Sequence, residues 1–193
     1  MNVHDSEKMY GVLLQSGYQR TESPYAADLI ILNTCSIRQK AEQKFYSELG
    51  RLKSYKKRKP DIKIAIAGCI AQQEGKNLFK KNPYVDYVFG PQNIHILRSI
   101  GGKSRPYAAL EDNPNIVPQD LPADRDDGIK AWISIMYGCN NFCSYCVVPY
   151  TRGRERSRPS ENIFAEVSEL AEKGYKEITL LGQNVNSYAS DVD

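Results

Sequence analysis

Asp28-Leu29-Ile30-Ile31-Leu32-Asn33-Thr34-Cys35 decides the fold. Its apolar run does not alternate with polar residues and has the length of one strand. Such a segment is buried on both faces, as in a parallel sheet covered by helices on either side. Lys63-Ile64-Ala65-Ile66-Ala67-Gly68-Cys69 repeats the pattern. Between the two, residues 36–53 set Ala41, Phe45, Leu49 and Leu52 on one helical stripe. Upstream, Met9, Val12 and Leu13 predict a helix over residues 6–16, capped by Asp5 or Ser6 and ended by Gly17. Downstream, a short helix is expected over 72–80, a strand over 84–89 and a helix over 93–100. The fold class is α/β, with an open parallel sheet.

Cys35 and Cys69 each stand at the carboxyl end of an expected strand, just before a helix. In an open parallel sheet both positions fall on the edge where ligands bind. A following helix favours the thiolate. Two readings stand side by side: free cysteines are commonly buried as small apolar residues, and the matched placement also suits a shared metal site.

The texture changes over 111–128, where Pro114, Pro118 and Pro122 mix with Glu111, Asp112, Asp120, Asp124, Asp126 and Asp127. This reads as a linker between a first domain, 1–110, and a second, 129–193. In the second, residues 130–136 read as a strand. Ser160 is the expected cap of a helix running to about Lys173, with Ile163, Val167, Leu170 and Ala171 inward. Residues 177–181 form the next strand and close on Gly182-Gln183-Asn184. That βαβ unit opens a (β/α) barrel, whose chemistry sits at the strand carboxyl ends.

Between that strand and helix lies YGCNNFCSYCVVPYTRGRERSRP, residues 137–159. Cys139, Cys143 and Cys146 are three of the five cysteines of the chain. Three thiolates on one loop suit three irons of a [4Fe–4S] cluster and leave the fourth iron open to a small molecule. The spacing is not that of a ferredoxin, in which protein caps every iron, and it lacks the paired ligands of a structural zinc site. The remaining alternative is a set of buried or zinc-binding cysteines. Tyr145, next to the last cysteine, offers an aromatic ring to a planar base. Arg152 and Arg154 suit either a substrate contact or ion pairs with acidic groups of the barrel expected to follow this unit.

The net charge of +3 does not by itself indicate nucleic acid. Residues 51–59, RLKSYKKRK, form a basic run that reads as a solvated face or an RNA contact. No apolar run reaches the length of a membrane span. Residues 1–11 lack the basic-then-apolar pattern of an export leader. A reducing, cytoplasmic setting is expected, with neither membrane nor DNA as partner.

These motifs resemble those of the radical S-adenosylmethionine (SAM) methylthiotransferases. The resemblance rests on MNVHDSE (1–7), NTCSIRQKAEQKFYSELG (33–50), AGCIAQQEG (67–75), GCNNFCSYCVVPYTRGRERSRP (138–159) and EITLLGQNVNSY (177–188). It is stronger to members that modify tRNA than to those that modify an aspartate of ribosomal protein S12. It implies that Cys139, Cys143 and Cys146 hold a [4Fe–4S] cluster whose open iron chelates SAM, with Tyr145 on the adenine and Gly182, Gln183 and Asn184 near the methionine amine. It implies a 5′-deoxyadenosyl radical that takes hydrogen from carbon 2 of N(6)-dimethylallyladenosine beside the anticodon. A second [4Fe–4S] cluster would use Cys35, Cys69 and a third cysteine that family members carry just before the position of Met1.

By the same resemblance a first strand, most of the barrel and an RNA-binding TRAM domain are expected outside this chain. The 193 residues alone would then be inactive. Expected partners are tRNA and a reducing donor such as flavodoxin or ferredoxin. The alternatives are the S12 enzyme, a non-catalytic iron–sulfur electron-transfer module, or an RNA-binding fragment that keeps only its basic surface.

Overall fold

The computed structural model describes residues 1–35, 39–112, 121–125 and 128–189. Four parallel strands form the first sheet: β1 (Leu29–Thr34), β2 (Lys63–Gly68), β3 (Tyr87–Phe89) and β4 (Tyr107–Ala109), in that spatial order. Alternation along β2 explains the layers. Ala65 and Ala67 join Met9 and Val12 of α1 (Asn2–Gln15) and Ile94 and Leu97 of a run of 3₁₀ turns, Pro91–Gly102. Their small side chains let that layer approach closely. Ile64 and Ile66 point the other way, onto Phe45, Leu49 and Leu52 of α2 (Gln39–Arg58), Ile70 of α3 (Cys69–Glu74) and Leu78 of α4 (Asn77–Lys81). Burying one such aliphatic side chain contributes about 1.5–3 kcal/mol.

The observed elements depart from the pattern reading at several places. Helix α1 begins at Asn2, so Asp5 and Ser6 lie inside it and neither caps it. The expected helix over 72–80 is two short helices, broken at Gly75, whose φ is +53°. Strand β4 was not anticipated, because three residues of the sequence Tyr-Ala-Ala carry almost no periodic signal. Helix α2 runs on to Arg58, while the expected start of that helix at Ser36 lies outside the described residues.

Three of the six cations in the basic run form ion pairs within the protein. Lys56 donates to the buried Asp86 carboxylate at 2.8 Å, Lys59 to Asp28 at 2.8 Å, and Arg51 to Glu48 at 2.8 Å. Asp86 also accepts the backbone N–H of Ile64 at 2.8 Å, which fixes the start of β2.

The second sheet pairs β5 (Lys130–Ser134) with β8 (Glu177–Leu181) in parallel, joined through α6 (Ser160–Glu172). Ala131, Ile133, Ile163 and Leu170 make its core. Trp132 is only half-buried rather than a core residue. The backbone leaves β5 at Ile135, and β6 (Met136–Tyr137) pairs antiparallel with β7 (Arg156–Ser157). This ladder, absent from the sequence expectation, closes the base of the cysteine loop. Ser160 opens α6 as its first helical residue and makes no capping hydrogen bond.

Most of residues 111–128 lies outside the described residues. The described part, 121–125, touches both units. The Asp124 N–H donates to the Glu7 carbonyl at 2.9 Å, and Arg125 pairs with Glu166 of α6. A Cβ on Gly11 would come within 2.3 Å of the Pro122 carbonyl oxygen, so α1 accepts this segment only through a glycine.

His4, 1% exposed in α1, shares a 2.9 Å hydrogen bond with Glu7. Burial first, then the charges of Lys8 and Arg125, push its pKa down to about 2. The folded chain therefore keeps His4 neutral while the unfolded chain takes up a proton below its ordinary pKa. Stability should fall by about 1.4 kcal/mol per pH unit on acidification below roughly pH 6.5. Urea unfolding at pH 7.0 and 5.5 measures this, and His4→Gln should flatten the difference.

Candidate functional site

The cysteine loop runs from β6 to α5 (Val148–Thr151). All five cysteines of the chain are free thiols; Cys139 is buried, Cys146 half-buried and Cys143 exposed. Gly138 enters the loop at φ +74°, and a Cβ there would lie 2.0 Å from the Arg154 carbonyl oxygen. The Cys139 N–H donates to the Gly153 carbonyl at 3.2 Å, and the Cys146 N–H to the Cys143 carbonyl at 2.9 Å. The loop is thus pinned at both ends on its own backbone, with three thiols between the pins. Among the described residues no three His, Cys, Asp or Glu side chains converge on a single ion site. Thiols shared out over the irons of a cluster do not need to meet at one point.

Aromatic residues crowd the outer side of this loop. Phe142, at φ +46°, meets Tyr150 edge-on at 5.8 Å, and Arg154 stacks over Phe142 at 4.5 Å. Holding a bulky residue in the left-handed region costs about 1–2 kcal/mol. Tyr145 is 90% exposed.

Cys35 and Cys69 stand at the carboxyl edge of the first sheet, immediately after β1 and as the first residue of α3. Gly68, at φ +89°, permits this, because a Cβ would approach the Thr34 carbonyl oxygen to 2.3 Å. Both cysteines line a cavity of about 250 Å³ with Met1, Asn2 and Thr34. The opposite wall is Val147, Val148, Thr151 and Arg152, completed by Gly182 and Gln183 at the end of β8. The carboxyl edges of the two sheets therefore face one cavity.

The structure brings Cys35, Cys69, Gly182 and Gln183 together. Gln183 also reaches the cysteine loop, since its Oε1 accepts the Gly138 N–H at 2.5 Å. One side chain thus touches the entry of the Cys139 loop and lines the cavity of Cys35 and Cys69. Asn184 and Tyr145 are not among the lining residues. His95 is half-buried and apart from the cavity, with its pKa lowered chiefly by burial.

A charged cluster lies between the units. Asp5 and Arg152 are 1% and 6% exposed, and Arg152 Nη2 donates to Asp5 Oδ2 at 2.6 Å. The Tyr137 hydroxyl donates to Asp5 Oδ1 at 3.2 Å. Burial opposes the Arg152 charge, but Asp5, Tyr137 and Cys69 outweigh it and raise its pKa. Burial, then Asp5, raises that of Tyr137. Lys8, over the Tyr137 ring at 5.8 Å, is pushed down to about 8 by burial.

Three of the four arginines after the loop find acids within this chain, Arg152 on Asp5, Arg156 on Asp112 and Arg158 on Glu166, while Arg154 lies over the Phe142 ring. Sequence reasoning missed Asp5, because an acid near a helix start is also what a cap looks like.

Comparison with known proteins gives two family matches. Residues 1–90 match the model described as "Uncharacterized protein family UPF0004", and residues 133–193 match that of the Radical SAM superfamily. A protein of Thermodesulfovibrio yellowstonii named tRNA-2-methylthio-N(6)-dimethylallyladenosine synthase is 54% identical over 97% of this chain and 44% of its own length. Proteins of the same name from Clostridium botulinum and Thermoanaerobacter pseudethanolicus are 49% and 47% identical over all of this chain, which covers 44% and 42% of them. The chain spans less than half the length of these curated relatives.

Gly138→Ala should cost at least about 1–2 kcal/mol from the left-handed backbone alone, before the clash with Arg154. Thermal unfolding should register that loss. Iron retained after anaerobic reconstitution should fall with it, while Gly174→Ala, strained but open around its Cβ, should keep its iron.

Proposed function

The chain joins a member of the UPF0004 family to a member of the radical SAM superfamily, and on that premise we propose that the whole protein is a radical-SAM methylthiotransferase acting on tRNA. The reaction it would perform is methylthiolation of carbon 2 of N(6)-dimethylallyladenosine, the nucleoside in the names of its relatives. The observation that carries this reading is the shared wall: Gln183 contacts the loop of Cys139, Cys143 and Cys146 and also lines the cavity holding Cys35 and Cys69.

The residues present fit a cluster at the loop. Three free thiols lie on one segment whose entry glycine leaves no room for a side chain. Cys139, Cys143 and Cys146 would hold a [4Fe–4S] cluster, with three thiolates for four irons, so that SAM could bind there through its amino and carboxylate groups. When bound, that cluster supplies the electron that splits SAM and so the abstraction of the hydrogen on carbon 2, a C–H bond with no useful acid–base handle. Tyr145 presents its ring to the adenine of SAM. Gln183 and Gly138 hold the loop in position, and Val147 and Val148 give the cavity wall beside it an apolar stretch.

Cys35 and Cys69, on the opposite wall, would supply two thiolates to a second [4Fe–4S] cluster, whose chemistry there would be that of sulfur supply. A low-potential carrier of the flavodoxin or ferredoxin type delivers the electron. Exposed Phe142 and Tyr150, with Arg154 stacked beside them, give the loop a surface suited to unpaired bases.

Anaerobic reconstitution followed by EPR tests the assignment. The reduced cluster signal should change on adding SAM, and the change should vanish in Cys143→Ala. TRNA from cells carrying Cys139→Ala, Cys143→Ala or Cys146→Ala as the sole copy should contain methylthio-adenosine only at background. Methylthio-aspartate in ribosomal protein S12, with unmodified tRNA, would reassign the substrate. A cluster indifferent to SAM would sink the catalytic reading.

A further inference from the structure

We propose that Asp5, Arg152 and Tyr137 are positioning residues for the reaction: they lock the cavity of Cys35 and Cys69 at a fixed distance from the Cys139–Cys146 loop. The inference rests on the proposed function, since it assigns a role within that reaction.

Each member stands beside one of the two sites. Tyr137 lies two residues before Cys139, and Arg152 lies six after Cys146 and lines the cavity itself. Asp5 belongs to α1, which Asn33 ties to the end of β1 next to Cys35. Asn33 Nδ2 donates to the Asn2 carbonyl at 2.9 Å and to Ser6 Oγ at 2.8 Å. The Arg152 backbone is held as well, because Gln92 Nε2 donates to its carbonyl at 2.7 Å. A continuous line of hydrogen bonds therefore runs from the segment before Cys35, through α1, to both ends of the cysteine loop.

The character of the line matters as much as its path. A carboxylate and a guanidinium out of water tolerate almost no displacement, because each small opening leaves a buried charge unpaired. Apolar packing alone would allow the units to slide at lower cost. An ion pair with a hydroxyl on the second carboxylate oxygen permits one geometry. A reaction that removes hydrogen at one site and delivers sulfur from another, to the same carbon, needs such a fixed separation.

Two measurements on the full-length protein test this. In the metal-free protein, hydrogen exchange over residues 2–12 and 147–153 should quicken about tenfold or more in Asp5→Asn and Arg152→Gln, with residues 163–172 unchanged. In the reconstituted enzyme, 5′-deoxyadenosine released per methylthiolated nucleoside should rise about fivefold or more in the same variants, at unchanged iron content. Arg152→Lys, which keeps the charge, should recover part of that coupling.

Tyr137→Phe, which loses only the hydroxyl, should show a smaller rise in the same ratio. It decides the matter should the charge variants fail to fold. Unchanged exchange in both segments overturns the proposal. So does faster exchange with an unchanged product ratio, which would make the cluster structural only. If the wild-type enzyme makes no methylthiolated nucleoside, the functional reading fails and the exchange experiment still judges the lock.

Discussion

One buried carboxylate holds the molecule together across its two sheets. Asp5 sits in the first turns of α1, in a sequence where an exposed cap would be the ordinary choice, and instead accepts from Arg152 and Tyr137. Both charges are withdrawn from water, which is expensive unless the pairing is close and complete. The surrounding features read as accommodation of that demand. Glycines at 11, 68 and 138 let backbones approach where any side chain would collide. The Asp124 N–H and Arg125 fasten the described end of the connecting segment to α1 and to α6. Small Ala65 and Ala67 bring the layer that carries Asp5 down onto the sheet.

The first sheet was legible because its central strand is unambiguous. Ile64 to Ala67 are wholly buried on two faces, and a run of that kind has few other homes. The second βαβ unit was legible for the same reason and because Gly174 marks the end of α6. What escaped was short or non-periodic. β4 has three residues, the β6–β7 ladder has two residues a side, and α5 has four. Elements of that size are stabilised by what they pack against, so their own residues carry little trace of them.

At the site, the identity of the residues was readable and their grouping was not. The spacing of Cys139, Cys143 and Cys146 and the strand-end positions of Cys35 and Cys69 follow from local pattern. That Gln183 bridges the loop and the cavity depends on how two sheets face each other, which no local pattern encodes. The arginines after the loop illustrate the same limit. Their charge suggested a substrate or an acid beyond this chain, whereas Asp5, Asp112 and Glu166 meet Arg152, Arg156 and Arg158 within it.

The cavity of about 250 Å³ draws its walls from five separate stretches: residues 1–2, 34–35, 69, 147–152 and 182–183. Contacts so far apart along the chain form late, after the local hairpins and helices have settled. No nascent piece of the polypeptide can present this chamber. A ligand in this cavity would find its full set of contacts only once those five stretches have come together.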